Sequence, residues 1–515
     1  MRELAFDVPS GLSLHDNVLR VALQWVPSRR AEAWELRLVR RDGGDTLVAA
    51  CEAVAGELRA AVPIHPLLDA PAGRWDVQLC RRQSNGETVL PLISSPSPGH
   101  PRHFLEQRVG AHGLSAYLSD SVGSLVLYVA PHAQHQRMVA AENAKARFGD
   151  WLRELPLQED LVLFESFLGK SYAGNPRYVY EALRELRPDL RCAWAYSGNQ
   201  PIPGDPPRVV RGSPDYYRLL AQAKYRVNNV LFAAPGRKPE TVYLQTWHGT
   251  PLKRLSYDIE VAGPEADARE NFYRESRGWS VLLSENSYST EIFRRAFRYC
   301  GPILETGYPL TDPLFNPVLD RAALAARLGL SSDHSFVLYA PTWRDHKPIG
   351  AWRFDFDLQL DLQALSSALA PKQTLLVKAH HLVAARLDPD ALPANVVDLS
   401  HLDDINELCL LADVLITDYS SVLFDYAVTG KPILFYCYDL ELYASEIRGF
   451  YLDVERDLPG PLARTTAELV ALFGDLPTVT AAYAGRYAAF RRRYCALNDG
   501  NVARRVIEAV FGGAP

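Results

Sequence analysis

The sequence predicts an α/β protein: two consecutive doubly wound parallel sheets, preceded by a smaller β-rich domain. Three observations carry this reading. From about residue 152 short apolar runs alternate with amphipathic stretches, the rhythm of βα units. A second series of the same kind starts near residue 320. The first hundred residues lack that rhythm and show short alternating runs broken by turn residues.

The β-rich domain is placed at 1–130. Its expected strands are 18–26, 34–39, 46–50 and 75–80, separated by clusters such as Arg41-Asp42-Gly43-Gly44 and Ser84-Asn85-Gly86. Residues 94–102 (SSPSPGHPR) read as a linker, and 122–130 as one more strand. The first parallel domain, 150–315, takes strands at 161–165, 192–196, 225–230, 242–245 and 281–284, with helices at 177–186, 215–223 and 290–298. The second, 320–515, takes strands at 335–340, 374–378, 396–398, 414–417 and 433–436, with helices at 321–328, 405–412 and 422–428 and Arg-bearing helices at its end. Doubly wound sheets bind ligands beyond the carboxyl ends of their strands, so residues that follow strands are the first place to look for chemistry.

Composition narrows the classes. The chain has 515 residues, 48% hydrophobic and 23% charged, ordinary for a globular protein with large cores. A net charge of -6 argues against a general nucleic-acid binder. No apolar run is long enough to span a bilayer and no signal peptide is visible. The seven cysteines are scattered without a CxxC pair, which argues against a disulfide framework or zinc site and for a reduced, cytosolic protein. Lysine is scarce, 9 against 46 arginines, yet Lys253, Lys347, Lys378 and Lys431 fall in or beside the motifs below, as an anionic substrate would favour.

Four strand ends carry candidate chemistry. After 414–417 comes Asp418-Tyr419-Ser420-Ser421, opening a helix that holds Asp425. Thr417, Asp418, Ser420, Ser421 and the helix amides suit a phosphate, with Asp425 placed to accept from a ribose hydroxyl; the plainer alternative is a helix cap. After 242–245 comes Trp247-His248-Gly249-Thr250-Pro251. Pro251 suits a first helical turn, Gly249 allows close backbone approach, and His248 is a candidate general base. After 335–340 comes Pro341-Thr342-Trp343-Arg344-Asp345, where Arg344 either clamps a phosphate or pairs with Asp345. The strand 374–378 runs into Ala379-His380-His381; if it continues, Lys378 and His380 share one face and call for an anion between them. Asp403-Asp404 reads as a helix cap. No HExxH, Walker A or GxSxG motif is present. The arginine clusters 294–298 and 491–493 either face solvent or meet an anionic membrane surface.

As a set, these motifs resemble the CDP-glycerol glycerophosphotransferase family of teichoic acid and capsule enzymes. The similar stretches run in order from Phe164-Glu165-Ser166-Phe167 with Gly169-Lys170 and Asn175-Pro176, through TWHGTPLK, SENSYST, Thr306-Gly307-Tyr308-Pro309, YAPTWRD, Lys378-Ala379-His380 and LITDYSSVLFDY, to Gly449-Phe450-Tyr451-Leu452-Asp453. They cover about residues 155–480.

The resemblance implies a GT-B fold and transfer of an alditol phosphate, glycerol phosphate first, from a CDP-activated donor to an acceptor hydroxyl, with release of CMP and no metal cofactor. It implies His248 as general base, His380 near the donor pyrophosphate, and Asp418, Ser420, Ser421 and Asp425 on the nucleotide. Gly249, Thr250, Arg344, Lys378 and Thr417 complete the expected site. The implied partners are CDP-glycerol or a related CDP-alditol and a lipid-linked saccharide or polymer acceptor, with no nucleic acid, on the cytoplasmic face of the membrane. One departure stands out: Leu310 occupies the place of the family's arginine after Gly307-Tyr308-Pro309, which removes a basic neighbour from Asp312. Two other readings use the same sequence: a nucleotide-sugar glycosyltransferase on this fold, and a non-catalytic cell-envelope binding protein.

Overall fold

The computed structural model describes residues 12–24, 34–41, 45–54, 57–83, 86–91, 103–118, 124–261, 268–315, 321–342, 348–350, 353–354, 358–379 and 387–512. The chain forms two compact units, divided within the helix His132–Glu154.

The first unit holds two antiparallel sheets around one core that includes Leu19, Leu36, Leu38, Leu79, Leu114 and Leu127, as a sandwich requires. Strand Trp34–Arg40 alternates buried and half-buried side chains. The hairpin between Leu12–His15 and Val18–Gln24 turns on Asp16 and Asn17, both at positive φ (51° and 58°). Such a two-residue turn matches the natural twist of its strands. Strand Leu125–Pro131 is the unit's last strand, close to the predicted 122–130, and the unit runs on into a 23-residue helix that the sequence reading leaves unassigned. Its apolar face is thin: Ala144, Phe148 and Trp151 supply the contacts to Tyr216 and Tyr217 in the second unit's core. The expected turns at 42–44 and 84–85 and the linker 94–102 lie outside the described residues.

The second unit contains both parallel sheets. In the first, the strands lie in the order Arg208–Val209, Arg191–Ala195, Gln158–Glu165, Ala223–Asn228, Val242–Gln245, Val281–Ser284, Ile303–Glu305. In the second, the order is Val396–Asp398, Gln373–Val377, Ser335–Ala340, Val414–Thr417, Ile433–Tyr436, Leu462–Ala463. Both run outward from a central first strand, so each sheet has one point where the order reverses and a crevice opens at the carboxyl ends. In the first sheet that point is bridged by the Phe167 amide, which donates to Asn229 Oδ1 at 2.9 Å. In the second it is bridged by the Thr342 amide, which donates to Asp418 Oδ1 at 2.8 Å.

The domain boundary expected at 320–515 needs one correction. After helix Leu476–Tyr494 the chain crosses back, and helix Val502–Phe511 buries Val502, Val506, Ile507 and Phe511 in one core with Val162 and Phe164 of the first sheet and Tyr180 of helix Gly174–Leu186. Asp312 caps this helix with both carboxylate oxygens, accepting from the amides of Val502 (2.9 Å) and Ala503 (2.7 Å). That contact explains how Asp312 is used in a chain with Leu310 beside it. Among the described residues no helix is long and apolar enough to cross a membrane.

Candidate active site

The turn that bears His248 is held from three sides. Strand Val242–Gln245 is buried almost throughout. Trp247 then takes a positive φ of 53°, a costly geometry for a bulky residue that needs support. The Gln245 side chain gives it: Oε1 accepts from the Trp247 amide at 2.9 Å, while Nε2 donates to the Val230 carbonyl at 2.7 Å. Asn175 Nδ2 donates to the carbonyls of Thr246 and Trp247, each at 3.2 Å, and its Oδ1 accepts from the Leu310 amide at 3.1 Å. The Trp247 indole packs among Phe272, Phe293 and Phe297 and stacks on the His248 ring, centroids 4.4 Å apart.

His248 is half-buried, and its Nδ1 lies 2.7 Å from the Asn229 carbonyl oxygen. A carbonyl can only accept, so Nδ1 carries the proton and the lone pair of the neutral ring is on Nε2. This is the tautomer a general base needs. The edge of Phe167 flanks the ring, with centroids 6.0 Å apart.

Gly249 brings the two sheets' carboxyl ends together. It has φ +149°, and a β-carbon placed on it would fall 2.4 Å from Ser421 Oγ. Further along, Lys253 and Phe450 form an antiparallel bridge, the Arg254 amide donates to the Gly449 carbonyl, and the Tyr451 amide donates to the Leu252 carbonyl. The stretch 449–453 is thus a strip that zips the two domains. Thr250 is fully buried and its hydroxyl donates to Glu285.

On the facing domain, Thr417 donates its hydroxyl to the Ala340 carbonyl at 2.7 Å, so it ties adjacent strands. Asp418 is buried, and its Oδ1 accepts from the amides of Thr342 and Tyr419. Both residues therefore shape the crevice floor from within the sheet. Ser420 and Ser421 are half-buried and start helix Val422–Ala427; the Ser421 side chain makes no cap bond. Asp425 lies deeper, 5% exposed, and its buried Oδ1 has no hydrogen-bond partner among the described residues. Burial, with Glu285 and Asp404 nearby, pushes its carboxyl well above the ordinary range. Lys378, expected as the last residue of its strand, comes directly after strand Gln373–Val377. Its Nζ donates to the Ser400 carbonyl at 3.0 Å, burial lowers its pKa, and Asp403, Asp404 and Asp398 oppose that fall. Arg344 and His380 lie outside the described residues.

Asp403-Asp404 does more than cap. Asp404 caps helix Ile405–Leu411 as predicted, but its Oδ2 also accepts from Tyr178 (2.9 Å) and Arg177 (3.3 Å). Asp403 Oδ2 accepts from the Tyr172 amide and the Tyr196 hydroxyl, both at 2.8 Å. Arg177 also reaches Glu407 at 2.9 Å. These bonds join the two domains near Lys378. Sequence reasoning missed this latch, the Asn229 carbonyl behind His248, and Glu285. Only Glu285 left a signal, as the one carboxylate of the SENSYST stretch.

Two doubly wound domains with apposed carboxyl ends and a histidine in the crevice define a GT-B-type protein. The chain belongs to the CDP-Glycerol:Poly(glycerophosphate) glycerophosphotransferase family, which residues 149–512 match. It is 38% identical over 367 residues to the teichoic acid poly(glycerol phosphate) polymerase of Bacillus subtilis (strain 168), covering 69% of this chain and 49% of that protein. It is 36% identical over 372 residues to the teichoic acid glycerol-phosphate transferase of Staphylococcus aureus (strain NCTC 8325 / PS 47), covering 70% and 95%. Among solved structures, that of the wall teichoic acid polymerase TagF superimposes with a TM-score of 0.66 at 33% identity, covering 74% of this chain and 96% of that one. The chain spans about half the length of the Bacillus subtilis relative.

Proposed function

We propose that this protein transfers glycerol phosphate from CDP-glycerol to an acceptor hydroxyl and releases CMP, in the synthesis of a teichoic-acid-type envelope polymer. The observation that carries the reading is His248: a half-buried imidazole whose Nδ1 is tied to the Asn229 carbonyl, on a turn seated against Ser421 of the facing domain. Family membership and the relatives' names supply the substrate class.

The steps follow from that placement. The acceptor oxygen attacks the donor's β-phosphorus as its proton passes to His248 Nε2. The bond from that phosphorus to the bridging oxygen breaks, and CMP departs with the electron pair. Positive groups aimed at the pyrophosphate stabilise the charge that develops. Lys378, Arg344, His380 and the Ser420–Ser421 helix start are assigned that task, and Asp418 and Asp425 the support of the nucleotide pocket. In this reading these side chains do the work of a metal cofactor, and turnover in EDTA checks it. The acceptor is a lipid-linked saccharide or growing polymer, which places the protein at the cytoplasmic face of the membrane, on an anionic surface.

The test is incubation with CDP-glycerol, CDP-ribitol and UDP-sugars, each with a lipid-linked saccharide, and mass identification of the released nucleotide. CMP from CDP-glycerol supports the proposal. UDP from a UDP-sugar replaces it with glycosyl transfer on the same fold.

A further inference from the structure

Glu285 has no part in the steps above, yet the seam between the domains is built around it. It follows strand Val281–Ser284, is fully buried, and accepts from two segments distant in sequence. Thr250, two residues after His248, donates its hydroxyl to Oε2. Asn498, in the segment that crosses back between domains, donates Nδ2 to Oε1 at 2.7 Å. Asn498 Oδ1 in turn accepts from the Tyr308 amide at 3.0 Å. The neighbouring Asn286 caps helix Ser287–Ala296 and donates Nδ2 to the Tyr494 carbonyl at 2.7 Å. Around this carboxylate the Tyr308 hydroxyl and Asp425 Oδ1 are both buried without a hydrogen-bond partner among the described residues. A buried carboxylate receiving two side-chain donors is costly to keep and costly to change.

We infer that Glu285 is a positioning residue for His248: it fixes Thr250, and through Thr250 the turn that presents the imidazole to the facing domain. The inference rests on the glycerophosphate-transfer reading of His248 and deepens it. Ionised Glu285 accepts with both oxygens. Protonated, it donates toward the Thr250 hydroxyl instead of accepting from it, so Thr250 loses its present acceptor and the turn its present anchor.

The surroundings favour titration near neutrality. The ionisable groups around Glu285 are Asp425 from helix Val422–Ala427, Tyr308 from the loop after Ile303–Glu305, and Cys495 after helix Leu476–Tyr494. None is a cation. Burial pushes Glu285 up to about 7, with Thr250 and Asn498 pulling the other way. Glu285 and Asp425 share this burial and titrate as a pair, so an ionisation of the pair joins that of His248 on the acid side of turnover.

The experiment compares wild type, Glu285→Gln, Thr250→Val and the double variant. It measures CMP release from CDP-glycerol between pH 5 and 9, and records the His248 ring signal by NMR, assigned with His248→Asn. Melting temperatures confirm folding. The inference predicts that each single variant lowers kcat at least tenfold, with the donor KM within twofold. The double variant is no worse than the worse single one, and one acid-side ionisation disappears in Glu285→Gln. Singles that keep more than half of kcat, or a double variant with the product of both losses, overturn it. If wild type releases no CMP, the glycerophosphate reading falls and the His248 signal decides: a shift in Thr250→Val supports positioning, and an unmoved signal refutes it.

Discussion

Gly249 and Ser421 meet across the crevice: a β-carbon on Gly249 would lie 2.4 Å from Ser421 Oγ and 2.7 Å from Ser421 Cβ. One contact therefore joins the turn that carries His248 to the helix start assigned to the donor phosphates. It sets the separation between that turn and that helix start.

Gly249→Ala is expected to fail twice, through the clash and through φ +149°. Backbone strain of this sort costs about 1–3 kcal/mol, and a displacement near 1 Å at the base costs roughly 100-fold in rate. Adding Ser421→Gly should restore part of the melting temperature by removing the clash, leaving the strain. Melting curves and CMP release from both variants check this.

Lys378→Met tests the phosphate side. Its ammonium stands at a strand end, half-buried, with Asp398, Asp403 and Asp404 near it. Loss of a charged contact to the pyrophosphate should lower kcat/KM for CDP-glycerol by about 100-fold, some 3 kcal/mol. CMP, which lacks the β-phosphate, should bind nearly as before. Calorimetry with both nucleotides separates the two.

Asp312 gives a pH signature. Burial pushes its carboxyl up to about 6, although two amides of helix Val502–Phe511 bond it. A folded pKa above the unfolded value of about 4 means the native state holds the proton more tightly between those limits. Its contribution is therefore most favourable at the acid end and is lost as pH rises from about 4 to 6, by on the order of 2 kcal/mol. Asp312→Asn should flatten that part of the curve, as urea unfolding across this range would show.

The latch at Asp404 is the strongest stability test. Its carboxylate is buried and binds Arg177 and Tyr178 of the other domain. Removing one partner of a buried ion pair typically costs 3–5 kcal/mol. Glu181 and Glu407 remain on Arg177, so Asp404→Ala should sit near ~3 kcal/mol. The crevice should also open, seen as a larger radius of gyration in X-ray scattering.

The parallel sheets were legible because buried strands read as short apolar runs closed by polar residues. Strands Val242–Gln245, Val281–Ser284, Val414–Thr417 and Ile433–Tyr436 fall where the sequence predicts them. Helix His132–Glu154 was not legible, since few of its residues are buried and its polar length carries no strong period. The site was legible as a set of strand ends. His248, Gly249 and Ser421 do converge, while Thr417 and Asp418 turn out to be bonded within their own sheet. The partner that sets the His248 tautomer is a main-chain carbonyl, which no side-chain pattern encodes. The return of helix Val502–Phe511 to the first sheet was equally hidden, because an amphipathic helix does not say which sheet it covers.

The central claim is that His248 is the base, and it is tested most directly by His248→Ala. With CDP-glycerol and a lipid-linked acceptor, CMP release should fall by about 10³-fold or more, within the range that loss of a general base produces. Donor affinity, measured by calorimetry on the same preparation, should stay within about threefold of wild type, since the imidazole acts on the acceptor's proton. Release of CMP at the wild-type rate by the folded variant would contradict the account.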